Sequence, residues 1–166
     1  LTMPLRHRLF SLLTAAAVTF LIPTIAVAAC SHDTVHLRGD WGKARFAVEV
    51  ADNASERGKG LMGRPSMPLS SGMLFVYHRT KPVSFWMRNT LIPLDIIFLD
   101  EDGTVVRVHH NAIPLDETPI PSGAPTRYVL EVNGGLAKAL GITTGTELRH
   151  PSIVQTNAAW RCSEPE

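Results

Sequence analysis

The sequence predicts a β-rich α+β fold, a single compact antiparallel-rich barrel or sandwich with two short helices. Strand-type apolar runs far outnumber helical patterns, and their connections are hairpin-length. Twelve Gly and twelve Pro supply turns and count against a helical body. Two β-branched runs flank Asp100-Glu101-Asp102-Gly103, the strongest local hairpin signal in the chain.

The elements follow in order. Val35 and Leu37 alternate with polar neighbours as a weak strand, and over 45–50 Phe46, Val48 and Val50 share one strand face. Asn53 is placed as an N-cap with Glu56 in capping-box register, opening about two turns that end near Met62. Gly58 and Gly60 weaken that helix, and residues 63–66 read as loop. Met73 to Tyr77 is a continuously apolar strand, and residues 78–82 turn the chain. A strand over 83–87 sets Val83, Phe85 and Met87 against Ser84 and Trp86, with Arg88 continuing the latter face. Leu94 to Leu99 and Val105 to His109 form the hairpin arms. Residues 111–125 carry four prolines and Gly123 without periodicity, which marks a functional loop or an arm packed on the body. Tyr128 to Val132 is a strand, Leu136 to Leu140 a short helix closed by Gly141, and Glu147 to Arg149 a last strand.

Residues 1–28 have the layout of a cleavable signal peptide: Arg6 and Arg8, an apolar run over 9–22, Pro23, then Ala26-Val27-Ala28. A retained membrane helix is the alternative. The expected organisation is a leader over 1–28, a single β-rich domain over 29–150 and a C-terminal tail over 151–166. The chain is therefore expected to be exported, periplasmic or secreted. Cys30 has two readings: a disulfide with Cys162, or the acylated cysteine of a lipoprotein. The disulfide is preferred, because acylation would strand Cys162 as an odd thiol in an oxidising compartment. A net charge of +1, lost with the leader's two arginines, gives no electrostatic footprint for nucleic acid.

Four stretches carry a family resemblance: 51–62 ending in Gly60-Leu61-Met62; Ser71-Gly72-Met73-Leu74-Phe75; Phe85-Trp86-Met87-Arg88-Asn89-Thr90 through Pro93-Leu94-Asp95 to Phe98; and Pro121-Ser122-Gly123 leading to Arg127-Tyr128-Val129-Leu130-Glu131. On these residues the chain resembles the domain-of-unknown-function 192 (DUF192) family of bacterial and archaeal proteins, many with export leaders. The resemblance spans about residues 35–150 and implies a compact, strand-rich single domain. It brings no established activity, so no catalytic residue carries over.

Phosphate-loop, dinucleotide, nucleophile-elbow and zincin motifs do not occur. Ser122, in Pro-Ser-Gly-Ala, reads as a turn serine rather than a nucleophile. His109 and His110 are adjacent, so a regular strand points them to opposite faces and they cannot chelate one ion together. Met62, Met73 and Met87 could form a thioether site for Cu(I), against the simpler role of core filling. No cofactor is expected.

Asp95 is the most informative residue. It lies in an apolar strand on the face of Ile97 and Leu99, so burial demands a partner; Arg64, Arg88, Arg127 and the Asn89 amide are the candidates. It is either a strut for the 88–93 loop or the polar floor of a site. In the second reading Trp86 is the aromatic wall, Arg64 or Arg88 catches an anion, and Asn89, Asp95, Arg127 and the Ser122 loop converge. The function expected is a cell-envelope binding or accessory module for a small-molecule or envelope ligand, sited around Trp86–Asp95 and the 111–127 loop. The alternatives are a hydrolase with Asp95 as general base, a copper-binding protein, and a partner-docking protein.

Overall fold

A computed structural model describes residues 30–166. The leader expected over 1–28 lies outside the described residues.

The chain enters through an antiparallel hairpin, β1 (Thr34–Gly39) and β2 (Gly42–Ala51), and crosses by α1 (Ala54–Lys59) to β3 (Ser71–Lys81), which runs parallel to β2. The expected hairpin follows as β5 (Leu94–Leu99) and β6 (Val105–Ala112), preceded by a two-residue strand β4 (Ser84–Phe85). After β7 (Ile120–Pro121) come β8 (Thr126–Asn133), α2 (Leu136–Leu140) and β9 (Glu147–Arg149). Seven strands form one sheet in the order β6-β5-β8-β3-β2-β1-β9, and β4 pairs with β7 beside it. The sheet curls into a half-barrel until its two edges touch. Thr104 bridges Glu147, Val105 donates to the Thr146 carbonyl at 2.8 Å, and Leu148 donates to that of Gly103 at 2.9 Å. Closing the edges in this way removes unpaired strand backbone from solvent. The β-rich class with two short helices is as expected.

Local chemistry explains the elements. Asn53 caps α1 by accepting the Glu56 N–H at 3.0 Å, while the Glu56 carboxylate accepts that of Asp52 at 3.3 Å. Gly141, at φ 86°, ends α2 in the left-handed region that favours glycine. Three boundaries differ from expectation. Strand β3 runs on through residues 78–81, with a register shift after Val76 that accommodates the polar stretch. Only Ser84 and Phe85 of the 83–87 run are strand, since Met87 donates instead to the Asp116 carbonyl at 2.8 Å. The partner of β4 is Ile120–Pro121, inside the proline-rich arm, where a short edge pairing tolerates a residue without an N–H.

Burial divides into two apolar clusters on opposite sheet faces. One holds Leu37, Phe46, Leu74, Ile97, Leu130 and Leu148. The other holds Phe75, Met87, Leu94, Ile96, Phe98 and Val129. Every residue of β5 is buried, so alternation sends Ile97 and Leu99 to one cluster and Leu94, Ile96 and Phe98 to the other. Residues 151–166 hold neither helix nor strand, yet Ile153, Ala158 and Trp160 are buried. Trp160 lies beneath the guanidinium groups of Arg38 and Arg149. Cys30 is disulfide-bonded to Cys162, with Cα atoms 5.3 Å apart, so the pairing and not the acylated cysteine describes Cys30.

Candidate functional site

Strand β8 delivers the site. Tyr128, Leu130 and Val132 enter the first cluster, so Val129 and Glu131 point the other way, toward the second. Glu131 stands between Met73 on β3 and Ile96 on β5 and is 4% exposed. Among the described residues its carboxyl has neither a hydrogen bond nor an ion pair, and burial pushes its pKa up to about 8. At neutral pH it therefore holds its proton. The strands on either side are closely apposed, because a Cβ on Gly72 would lie 2.5 Å from the Glu131 carbonyl oxygen.

This carboxyl lines a cleft of about 90 Å³ together with Arg57, Lys59, Met62, Tyr77, Phe85 and Trp86. Arg57 is fixed there: it donates to the carbonyls of Asp52 and Val76, and its guanidinium lies 5.1 Å from the Tyr77 ring centroid. Gly60, at φ 50°, turns the chain out of α1, and a Cβ there would meet Phe75 at 3.4 Å. Phe85 packs edge-on against Phe75 and Phe98, with centroids 5.0 and 5.9 Å away. Trp86 is 45% exposed. A larger opening of about 660 Å³ lies at the β1–β2 turn, but several polar groups there bond to one another. Arg38 pairs with Glu147 at 2.6 Å and Trp41 donates to Thr146 at 2.9 Å.

The Asp95 constellation does not assemble as expected. Asp95 is fully buried and accepts three backbone N–H groups, from Asn111 (2.7 Å), Gly135 (3.0 Å) and Ala137 (2.7 Å). Among the described residues no side-chain cation hydrogen-bonds or pairs with it. Arg127 is at the other end of the β5–β8 pairing, since Asp95 faces Val132 while Leu99 faces Tyr128. That offset of five residues along β8 corresponds to about 17 Å of strand. The Arg127 guanidinium lies over Tyr128 instead. Arg64 makes a two-pronged pair with Glu49, at 2.5 and 2.6 Å. Arg88 is exposed, 4.0 Å from Glu117 and above the Trp86 ring. Asn89 is exposed in a left-handed conformation, φ 53°, and its carbonyl accepts the Gly63 N–H. Ser122 is a buried turn serine, accepting from the Val83 N–H at 3.1 Å and donating to the Ala124 carbonyl at 2.7 Å. Asn89, Asp95, Arg127 and the Ser122 loop therefore do not converge as expected: three backbone amides, rather than a cation, satisfy the Asp95 carboxylate.

Met73 and Met87 are buried in the second cluster, and Met62, half-buried, reaches the cleft. No group of three or more His, Cys, Asp or Glu suited to a metal occurs among the described residues. No helix among them is long and apolar enough to cross a membrane. Of the expected site residues, Trp86 and Met62 belong to the cleft. Glu131, Arg57, Lys59 and Tyr77 were missed. The signal for Glu131 was available, since an acid alternating with Val129 in an apolar run repeats the pattern that singled out Asp95.

Fold and site define a small disulfide-closed β half-barrel with a recessed, proton-bearing carboxyl beneath an aromatic rim. The chain belongs to the DUF192 family, described as Uncharacterized ACR, whose model matches residues 35–150. It is similar to a protein of unknown function from Novosphingobium aromaticivorans DSM 12444, with 42% identity, TM-score 0.68, and 74% of this chain and 93% of that one covered. It is also similar to a proposed transcription regulator from Sinorhizobium meliloti 1021, with 41% identity, TM-score 0.69, and 73% and 95% covered. No match is found among curated proteins.

Proposed function

We propose that this protein is an exported binding module of the cell envelope that takes its ligand in the Glu131 cleft. One observation carries the reading: a carboxyl 4% exposed, unpartnered among the described residues, lining a cleft rimmed by an exposed tryptophan. Burying an unbonded carboxyl is costly, and a ligand that bonds to it recovers the cost. Hydrolysis is less well supported. Among the described residues Glu131 is the sole acid lining the cleft and no histidine lines it, and Asp95 is already engaged by three amides. Export is supported by the leader pattern and by the disulfide, which persists in oxidising compartments.

Thermal-shift titration with hexoses, short organic acids and amines tests the site, comparing wild type with Glu131→Leu and Trp86→Ala. At least one probe is expected to raise the wild-type midpoint and to lose that effect in both variants. No shift from any probe, or equal shifts in all three proteins, overturns the reading. Export is tested by intact mass of envelope protein, expected to begin at Ala29; a full-length cytoplasmic product as the sole species overturns it.

A further inference from the structure

We propose that the cleft over Glu131 receives the carboxylate of an organic acid whose apolar body lies against Trp86; this rests on the binding reading above. Size is the first argument. A cleft of about 90 Å³ has room for a small polar head group such as a carboxylate and its adjoining carbon.

Charge is the second. Arg57 and Lys59 from α1 line the cleft, and the bonding partners of Arg57 are two carbonyls and the Tyr77 ring, so no carboxylate among the described residues pairs with it. That field attracts an anion and repels an ammonium. The groups packed around Glu131 from neighbouring strands are the apolar Met73 and Ile96, with Tyr77 the one titratable group that β3 contributes to the cleft. No described residue donates to Glu131, and burial raises the pKa of its carboxyl to about 8. It can therefore donate its O–H to an incoming carboxylate, a short charge-assisted bond.

The surface outside is the third argument. Trp86, Leu91, Ile113 and Leu115 are 45–67% exposed, four of the large apolar side chains that reach solvent. Their two loops are tied together by Leu115 N–H to the Thr90 carbonyl at 3.1 Å and Met87 N–H to that of Asp116 at 2.8 Å. Thr90 itself lines the cleft, so this apolar surface adjoins its mouth.

Calorimetry on the full chain with phenylacetate, phenylacetamide and benzylamine tests the proposal. Phenylacetate is expected to bind, the amide to bind roughly tenfold more weakly, and the amine not at all. Phenylacetate affinity is expected to fall about tenfold per pH unit above about pH 8, as Glu131 loses its donor proton. Glu131→Gln keeps an N–H donor in place, so binding survives and the pH slope disappears. Arg57→Gln and Lys59→Gln each weaken phenylacetate several-fold without affecting the amide. Tightest binding by benzylamine, rising with pH, makes the cleft a cation site: the inference falls and the binding reading stands. Phenylacetate binding that ignores pH and all three substitutions lies elsewhere and overturns the inference. Silence from all three probes overturns the inference, and the thermal-shift titration then decides the binding reading.

Discussion

Asp95 caps helix α2 from across the fold. The N-cap of the helix is Gly135, which has no side chain to cap with, and the Asp95 carboxylate takes its N–H at 3.0 Å and that of Ala137 at 2.7 Å. A third amide, from left-handed Asn111 at the end of β6, bonds to the same carboxylate at 2.7 Å. One buried side chain thus joins β5, β6 and α2, and its negative charge sits at the positive end of the short helix.

Asp95→Ala should therefore cost more stability than Asp95→Asn. Alanine leaves three amides without an acceptor, a loss of about 3 kcal/mol or more. Asparagine keeps one carbonyl oxygen and should lose roughly half as much, since its NH₂ faces a donor. Urea unfolding of both variants at neutral pH checks the order; equal losses would refute the capping role.

Glu131 predicts a loss of stability on the alkaline side. Its pKa is raised by burial from 4.5 to about 8, so the folded chain holds a proton that the unfolded chain releases. Stability from this group is full below pH 4.5 and is lost as pH rises to about 8. Glu131→Gln should remove that slope and be the more stable protein by several kcal/mol at pH 9. Unfolding midpoints of the two proteins from pH 4 to 9 decide it.

His150 acts in the opposite sense. Its Nδ1 accepts the Ser152 N–H at 3.1 Å and its Nε2 faces the His32 carbonyl at 3.0 Å, so the ring is neutral with its proton on Nε2. Burial, the leading cause, lowers its pKa below 6.5. Its contribution is present above pH 6.5 and is lost as pH falls through the folded value. His150→Gln should flatten the acid limb of the stability profile and leave the alkaline limb unchanged.

The Cys30–Cys162 bond closes a loop of 132 residues. The chain-entropy model assigns such a loop about 5 kcal/mol. Reductant should lower the urea midpoint markedly, and a Cys30→Ser/Cys162→Ser protein should match the reduced wild type and ignore reductant. Thiol labelling before reduction should find no free cysteine.

What the sequence by itself determined is what depends on neighbours along the chain. The Asp100–Gly103 hairpin, the Asn53 cap, the Gly141 stop and the face of β5 that carries Asp95 are set by short-range sterics, backbone bonding and the two-residue period of a strand. The pairing of the two cysteines was legible as well, from compartment chemistry. The partners of Asp95 were not. Any residue can supply a backbone N–H, so Asn111, Gly135 and Ala137 carry no side-chain signal that they satisfy a carboxylate. Only the tertiary structure decided that the β6 end and the α2 start meet it while Arg127 sits at the far end of the strand pair. It likewise decided the cleft, because α1, β3, the 84–90 segment and β8 are brought together by the order of strands in the sheet. That order follows from which faces can be buried together, a property of the whole curled sheet rather than of any segment.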